Sequence, residues 1–405
     1  MLRINGERLI ADLRTLSGFG KYQTGVDRVA LSAEDMEARR WLIGKLKEIE
    51  LDSRMDRYGT VIGTDTKVER SILIGSHSDT VPRGGWLDGA LGVIYGLEIA
   101  RAWRESGNTA PIGVDVVSFS DEEGTYLPCF GARSFCGILE KADIATAKSK
   151  TGALLSDALA AIANEGPLLQ LDRKRHIAYL EAHIEQGPRL EALGTKVGVV
   201  TGIVGIRRFR VTAFGQADHA GTTPISMRKD AAAALFKLAV RVENEFAKLG
   251  GPDTVWNIGT FSLHPGAANV VPSQAEMTLE FRDTETATLD RLEQAVMGWV
   301  AEITKGAVKV EAIPTARIVP AAMSPQLGVA LTQAAIENGD KPLSMPSGAG
   351  HDAMFLTAQI PSAMIFIPSI GGRSHDITEN TADSDIIFGC QVMADATEKL
   401  IRSLA

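Results

Sequence analysis

Five side chains of the types that bind divalent metal ions occur near the ends of predicted strands and helices. They are His77, Asp88, Glu123, His183 and His375. Four of them follow or occupy the end of a predicted strand, and Asp88 lies where a helix is predicted to begin. Five nitrogen and oxygen ligands suit two metal ions that share one carboxylate. The lack of cysteine in the set favours Zn²⁺ or Mn²⁺ in a catalytic role, with Co²⁺ or Ni²⁺ as alternatives.

Considered singly, each of these residues has a simpler explanation. An Asp at a helix start is most often an N-cap. A histidine in a strand, such as His183, is more often structural than a metal ligand. The acids that follow the strand at 112–119 could belong to an ordinary acidic loop. A metal site is predicted because all five residues share strand-end or helix-start positions.

Two further acids have predicted roles beside the ligands. Asp79 leaves the same strand as His77, so its carboxylate is predicted to hold the second ring N–H of His77 and fix the tautomer. Glu122 precedes Glu123 in the run SDEEG, which follows a strand predicted to be buried on both faces. Buried carboxylates need a cation, and neighbouring acids can divide the work, one binding the ion and the other accepting a proton from water.

Strand and helix patterns alternate through most of the chain, which predicts an α/β layer. Helices are predicted at 5–16, at 33–49 and from residue 91, and the paired charges of the second favour solvated helices that cover a sheet. Apolar and β-branched runs predict strands at 52–58, 61–64, 71–75, 112–119, 177–186 and 363–368.

The region 206–318 has a different order of elements. Strands are predicted at 206–214, 255–263, 275–282 and 308–313, and helices at 228–249 and 287–305. This βαββαβ order is that of the ferredoxin-like fold. The region is therefore predicted to be an α+β domain inserted into the α/β layer.

Composition limits the classes of partner. The chain has 405 residues, a formal net charge of −8 and a pI close to 5.5. An acidic surface argues against nucleic acid and anionic membranes as partners. The sequence shows no signal peptide and no apolar run of membrane-spanning length, which predicts a cytoplasmic protein. Its three cysteines lack the spacing of a thiolate zinc site.

Seven segments of the chain combine these residues with glycines and small side chains: GSHSDT, GGWLDGALGV, SFSDEEG, YLEAHIEQGP, FGQADHAGTTP, SGAGHDA and GGRSHD. They closely resemble, in the same order and over nearly the whole chain, the hydantoinase/carbamoylase amidase branch of the dinuclear-zinc M20 peptidase superfamily. Ordinary M20 peptidases carry an acid where this chain has His183. Members of the branch hydrolyse N-carbamoyl-L-amino acids, ureidopropionate, allantoate or ureidoglycolate.

The resemblance implies a division of roles around the metal ions. His77, Asp88 and His183 would hold one ion, whereas Asp88, Glu123 and His375 would hold the other. Glu122 would be the general base, which accepts a proton from the attacking water and returns it to the leaving nitrogen. Two residues are predicted to support the site or fix a loop rather than to bind metal: His351 and Asp352.

The resemblance also implies a set of substrate contacts: Gln186, His219, Asn269 and Arg282. Arg282 would grip an α-carboxylate with two N–H groups, and His219 would polarise the group that is cleaved. Both have local alternatives, because Arg282 could instead form a salt bridge with Asp283 or Glu280, and His219 could make a turn hydrogen bond. The substrate would be a small molecule that carries a carboxylate.

The domain organisation that the resemblance implies is a discontinuous catalytic domain and an inserted domain. Residues 1–205 and 319–405 would form the α/β, dinuclear-metal M20-type catalytic domain, and 206–318 the ferredoxin-like lid/dimerisation domain. The protein would be a homodimer in which His219 reaches the active site of the partner subunit.

Side-chain specificity and two alternative functions stay open. After the SDEEG run many relatives have an Arg-Phe pair and a Gly-Ser, whereas this chain has TYLPCFGA. The alternatives are an M20-type peptidase or aminoacylase acting on N-acyl amino acids or dipeptides, and a metal-free binding relative. His183 argues against the first alternative. The unbroken ligand set with Glu122 argues against the second, since a binding protein needs no general base.

Overall fold

In the computed structural model, which describes residues 2–162 and 166–404, the chain forms two structural units. One comprises Met1–Thr201 and Ala322–Ala405, and the other comprises Gly202–Ala321. The strands are β1 (Lys21–Tyr22), β2 (Gly25–Val26), β3 (Asp52–Met55), β4 (Val61–Thr64), β5 (Arg70–His77), β6 (Ile112–Phe119), β7 (His176–Ile184), β8 (Gly198–Ile203), β9 (Gly205–Phe214), β10 (Val255–His264), β11 (Gln274–Asp283), β12 (Lys309–Ile318), β13 (Ala321–Ala322), β14 (Leu343–Ser347) and β15 (Ser362–Ile367). The helices are α1 (Gly6–Gly18), α2 (Ala33–Glu48), α3 (Ala90–Glu105), α4 (Phe130–Phe135), α5 (Lys141–Thr146), α6 (Leu155–Ile162), α7 (Arg189–Leu193), α8 (Ala231–Leu249), α9 (Thr286–Thr304), α10 (Pro325–Glu337), α11 (Ala353–Leu356) and α12 (Asp383–Leu404).

The first unit is built on a sheet whose four central strands, β15, β7, β5 and β6, run parallel. These strands are apolar and buried on both faces, as expected for a parallel sheet covered by helices. In the register, His77 pairs with Phe119 and Ile367 pairs with Ile184. The carboxyl ends of four strands therefore meet at one edge, where ligand sites of such sheets form.

The starts and ends of elements around the predicted ligands differ from the sequence prediction in two places. Strand β5 extends to His77, so this residue ends the strand instead of following it. Helix α3 has Gly89 as its N-cap, without a side-chain capping bond. The capping explanation for Asp88 is therefore wrong, and its carboxylate is directed to other partners.

Helix α2 is solvated on one side only: Glu34, Glu37 and Arg40 are exposed as predicted, but two charged residues are not. Asp35 and Arg39 are both fully buried and form an i,i+4 ion pair, in which Arg39 Nε donates to Asp35 Oδ2 at 2.9 Å. Such a pair is usually a surface feature, and nothing in the spacing distinguishes the buried case. Ser32 caps the helix by accepting the N–H of Asp35.

The second unit has the order β9-α8-β10-β11-α9-β12, and its antiparallel sheet has the strand order β10-β11-β9-β12. This is the ferredoxin-like arrangement that the sequence predicted. Helices α8 and α9 bury one apolar side against the sheet, with Leu235, Leu238, Leu289 and Leu292 in the core. Among the described residues, no helix is long and apolar enough to cross a membrane.

Candidate metal centre

The predicted ligands come together at the carboxyl edge of the parallel sheet. His77 ends β5, and His183 lies one residue before the end of β7. Glu123 lies four residues beyond the end of β6, and His375 lies on the loop after β15. The side chains form two groups with donor atoms within 4.8 Å of one another, and Asp88 belongs to both.

The first group is His77, Asp88 and His183, all of them buried. The Oδ1 atom of Asp88 lies 3.0 Å from Nε2 of His183 and 3.7 Å from Nε2 of His77. The Nδ1 atoms of the two imidazoles lie 3.0 Å and 2.9 Å from the carbonyl oxygens of Asp79 and Ile184, respectively. With Nδ1–H donating to a carbonyl, Nε2 of each ring presents its lone pair, as a metal ligand requires.

The second group is Asp88, Glu123 and His375. Nε2 of His375 lies 3.4 Å from Oδ2 of Asp88 and 3.5 Å from Oε2 of Glu123. The two oxygens of Asp88 thus face different groups. A carboxylate placed in this way could be shared by two cations.

Asp79 has a different contact from the one predicted. Its carboxylate oxygen lies 3.9 Å from Nδ1 of His77, and the backbone carbonyl of Asp79 takes the hydrogen bond instead. The carboxylate accepts the backbone N–H groups of Glu122 and Glu123 at 3.4 and 3.3 Å. Asp79 therefore fixes His77 through its main chain and the acidic run through its side chain.

The charges of the site fit two cations. Burial and the nearby Asp88 raise the pKa of Glu123 to about 10. Burial lowers the pKa of His77 to about 4; His183 is equally buried, but the Asp88 carboxylate outweighs that effect and raises its pKa to about 9. Within the described chain, Nε2 of His77 and Oε1 of Glu123 have no hydrogen-bond partner. Buried acids and orphaned ligand atoms of this kind are satisfied by metal ions.

Glu122 lies beside the first group without belonging to either group. Its Oε2 atom is 3.5 Å from Nε2 of His77, and the thiol of Cys129 donates to Oε1 at 3.6 Å. Burial, Asp352 and Glu123 raise the pKa of Glu122 well above its ordinary value. A carboxylate held next to the ligands has the position of a general base.

Two residues that the sequence did not single out hold Asp88 in place. Glu379 accepts the backbone N–H groups of Leu87 and Asp88, both at 3.0 Å. The hydroxyl of Ser374 lies 2.8 Å from Oδ2 of Asp88 and 3.0 Å from Oε2 of Glu379. Ser374 and Glu379 lie close to His375 in the sequence. This closeness to a predicted ligand was the only feature of the sequence that could have indicated their role.

Gly89 permits the close approach of the Asp88 loop to the first group. Its φ of 64° lies in the left-handed region, and a Cβ atom at this position would lie 2.4 Å from the imidazole of His77. The N–H of Gly89 donates to Nε2 of His183 at 3.2 Å. A side chain at this position would therefore displace a metal ligand.

Gln186, His351 and Asp352 also lie at this edge of the sheet. Gln186 Nε2 donates to Oδ2 of Asp88 at 2.9 Å and lies 3.4 Å from Nε2 of His375. The ring of His351 packs edge-on against His183 with centroids 4.6 Å apart, and its Nε2 lies 2.8 Å from the hydroxyl of Ser347. Asp352 is fully buried, and burial and Glu181 raise its pKa well above the ordinary value.

The remaining predicted substrate contacts, His219, Asn269 and Arg282, lie in the second unit. There His219 makes a hydrogen bond within its turn and Arg282 forms a salt bridge with Glu280, the two local contacts that the sequence allowed as alternatives. His219 is exposed, and its Nδ1 accepts the N–H of Gly221 at 3.1 Å. A bridge between His219 and Val270 brings Asn269 next to this loop. The guanidinium of Arg282 donates to Oε1 of Glu280 at 2.8 Å.

Comparison with known proteins gives a consistent assignment. The profile of peptidase family M20/M25/M40 matches residues 73–399. A crystal structure of an amidase of the hydantoinase/carbamoylase family from Burkholderia phymatum superimposes with a TM-score of 0.95, at 44% identity and over 100% of both chains. An N-carbamoyl-L-amino acid amidohydrolase of Geobacillus stearothermophilus is 33% identical, covering 96% of this chain and 97% of that protein. The allantoate amidohydrolase of Escherichia coli K12 is 33% identical over 94% of each chain.

The fold and the paired ligand groups define a hydrolase-type metal site on an α/β scaffold. The chain belongs to peptidase family M20/M25/M40. The family predicted from the seven sequence segments is thereby confirmed.

Proposed function

We propose that this protein is a metal-dependent amidohydrolase that cleaves a linear C–N bond of an N-carbamoyl-L-amino acid or a ureido acid such as allantoate or ureidoglycolate. The observation that carries the proposal is the arrangement of two ligand groups around Asp88 with Glu122 beside them. The activities of the Geobacillus and Escherichia relatives support the substrate class. His183, in place of an acid, favours this branch over peptidases and aminoacylases.

Two divalent ions, Zn²⁺ or Mn²⁺ with Co²⁺ or Ni²⁺ as alternatives, fit the two groups. His77, Asp88 and His183 would hold one ion, and Asp88, Glu123 and His375 the other. When bound, such ions polarise a carbonyl oxygen and lower the pKa of water. The buried imidazoles and carboxylates supply the nitrogen and oxygen donors that these metals accept.

Glu122 performs the proton transfer. Its carboxylate accepts a proton from the water that attacks the carbonyl, and then delivers that proton to the leaving nitrogen. Its side chain is mostly shielded from solvent, which limits exchange of the proton with bulk water between the two steps. For a carbamoyl substrate, one water is consumed and the products are the amino acid, ammonia and CO₂.

We assign Arg282 to bind the substrate carboxylate and His219 to contact the group that is cleaved. Asn269 and Gln186 are assigned as further polar contacts. Glu280 contacts Nε and Nη2 of Arg282 and so holds the guanidinium in place. A guanidinium can contact a carboxylate at two points. Gln186 already contacts Asp88, so it can present its amide to a substrate next to the metal ligands. These four assignments rest on the resemblance together with the positions of the side chains.

The second unit places two of these contacts far apart, which supports a shared site. Strand β11 pairs Gln274 with Phe214 at one end and Arg282 with Ile206 at the other. The loop with His219 and Asn269 adjoins the first end, so Arg282 is about 26 Å away along the strand. One small substrate cannot contact His219 and Arg282 of the same chain. We therefore propose a homodimer in which His219 and Asn269 serve the partner's site.

The same unit exposes a surface that suits a second copy of the chain. Strand β10 forms an edge of the four-stranded sheet, and the rings of Phe236 and Phe261 stack with centroids 5.0 Å apart although both are exposed. Val240 and Leu263 extend this apolar surface. An open strand edge flanked by apolar side chains is normally covered, and a twofold axis would pair the edge with itself. A cytoplasmic location is part of the same proposal.

A substrate panel tests the function. Protein loaded with Mn²⁺ or Zn²⁺ is given N-carbamoyl, ureido, N-formyl, N-acyl and dipeptide compounds, and ammonia and free amine are measured separately. We expect ammonia only from carbamoyl and ureido compounds. Free amine from dipeptides or N-acyl amino acids without ammonia release would instead identify a peptidase or aminoacylase. Glu122→Gln, which leaves the ligand groups intact, controls for contaminating activity.

A further inference from the structure

A buried arginine lies behind the acidic run that carries Glu122 and Glu123. The side chain of Arg39, on helix α2, is fully buried. Its Nη1 atom donates to the carbonyl oxygen of Gly59 at 2.9 Å, and Nη1 and Nη2 both donate to that of Phe119 at 3.1 Å. Phe119 is the last residue of β6, immediately before the acidic run. Arg39 thus fixes the point at which the chain leaves the sheet.

Arg39 also faces the carboxylate that holds the acidic run from the other side. Its Nη2 lies 3.6 Å from Oδ1 of Asp79, and both side chains are fully buried. Oδ1 of Asp79 accepts the N–H of Glu122, and Oδ2 accepts the N–H of Glu123. One planar guanidinium therefore contacts both supports of the run: the carbonyl before it and the carboxylate beneath its two functional acids.

We propose that Arg39 is a positioning residue that acts through Asp79 and the Phe119 carbonyl to hold Glu122 beside the metal ligands and Glu123 among them. The proposal rests on the assignment of Glu122 as general base and Glu123 as ligand. Without Arg39, the Asp79 carboxylate is held only by the long contacts to the N–H groups of Glu122 and Glu123, and the two acids are oriented less firmly. Arg39 is fully buried and belongs to neither ligand group.

Stability alone does not account for an arginine at this position. Burying a guanidinium and two carboxylates is costly, and apolar replacements of buried ion networks are often neutral or stabilising. The contacts instead use what distinguishes arginine from lysine, a rigid planar fork that can donate in several fixed directions at once. Asp35 completes this geometry by accepting from Nε, which orients the remaining N–H groups toward Phe119 and Asp79.

The test compares Arg39→Gln with a matched control, Arg101→Gln. Arg101 is also buried in the first unit and donates to Asp12 at 2.7 Å, but it lies about 16 Å along α3 from the helix start near the site. For each variant three quantities are measured: stability in urea, kcat and KM on the substrate of the wild-type protein, and the affinity of the metal-stripped protein for Zn²⁺ by calorimetric titration.

We expect both variants to lose stability, but only Arg39→Gln to lose kcat and metal affinity. Changes in residues that orient metal ligands typically cost 10–100-fold in either quantity, so a fall of about 10-fold or more is expected in kcat and in the affinity for the more weakly bound ion, with KM little changed. Arg39→Lys, which keeps the charge without the fork, is expected to be intermediate. In the Arg39→Gln background, Asp79→Asn should cost less than it does alone.

A folded Arg39→Gln protein with wild-type kcat and metal affinity would overturn the proposal. If that variant does not fold, the same result in folded Arg39→Lys has the same meaning. If the losses of kcat caused by Arg39→Gln and by Asp79→Asn simply add in the double variant, Arg39 does not act through Asp79. If the wild-type protein releases no ammonia from any carbamoyl or ureido compound, the proposed function fails, but the calorimetric titration still tests the positioning of Glu123.

Discussion

Mixed dimers of two inactive variants test whether an active site contains residues from two chains. His219→Ala removes a side chain from the loop of the second unit, and Glu122→Ala removes the base at the edge of the parallel sheet. In a dimer that contains one chain of each kind, the His219→Ala chain keeps its own Glu122 and receives His219 from its partner. That site is complete, whereas the other site lacks both residues.

The expected recovery follows from the symmetry. Equal amounts of the two variants, after random exchange of subunits, give mixed dimers as about half of the population, and each has one complete site of two. About a quarter of wild-type activity should therefore return. If His219 serves its own chain, each site of the mixed dimer lacks one residue and no activity returns. The separation of about 26 Å between His219 and Arg282 along the sheet favours the first outcome.

The assay is ammonia release after subunit exchange by mild denaturation and refolding, with differently tagged chains to verify mixed dimers by sequential affinity purification. Each variant refolded alone gives the background, and refolded wild-type protein gives the reference. Mixed dimers that are present but inactive would refute the shared site and leave His219 as a local or structural residue. Full recovery would also contradict it, because the second site lacks both groups.

Three further predictions concern single residues. Glu122→Gln should keep both metal ions and lower kcat by about two orders of magnitude or more, the scale for loss of a general base, and loss of an ion in metal analysis would make Glu122 a ligand instead. Arg282→Lys should raise KM for carboxylate substrates much more than for their amides, because lysine cannot make the two-point contact; equal effects would remove Arg282 from the carboxylate site. Burial opposes ionisation of Asp115, but His176, whose Nε2 lies 3.4 Å from Oδ2, and two hydrogen bonds from Arg175 bring its pKa to about 2, below the ordinary 3.8, so its charge should stabilise the fold by about 2 kcal/mol above pH 5. The unfolded state binds this proton first as the pH falls, so the stability difference between wild type and Asp115→Asn in urea should shrink between about pH 5 and pH 3, and a difference independent of pH would contradict the assignment.

The sequence indicated the main elements of the site because parallel strands end at one edge. The strands at 61–64 and 112–119 have the predicted bounds, and the residues that follow β6 and β15 meet the histidines of β5 and β7 as a direct consequence of that topology. The fold of the inserted region could also be predicted, because the order of its strands and helices specifies the ferredoxin-like fold. The periodic spacing of apolar residues and the positions of strand ends are short-range features, so both can be recognised in the sequence alone.

Other features depend on contacts that no local pattern encodes. The Asp35–Arg39 pair has the spacing of a surface salt bridge, and only the position of α2 against the sheet shows that it is buried. Glu379 accepts the N–H of Asp88 although the two residues are 291 positions apart in the sequence, and nothing in the residue type reveals that contact. The role of the Asp79 side chain was mistaken because its main chain, rather than its carboxylate, reaches His77.

Under the proposed function, two ions bound around Asp88 make this protein an amidohydrolase. The most direct measurement is ammonia release from N-carbamoyl-L-amino acids and allantoate while metal-stripped protein is titrated with Mn²⁺ or Zn²⁺. We expect no activity without metal and activity that rises until two ions are bound per chain, with ammonia from at least one of these substrates. Full activity after removal of metal by a chelator, or saturation at one ion per chain, would contradict it.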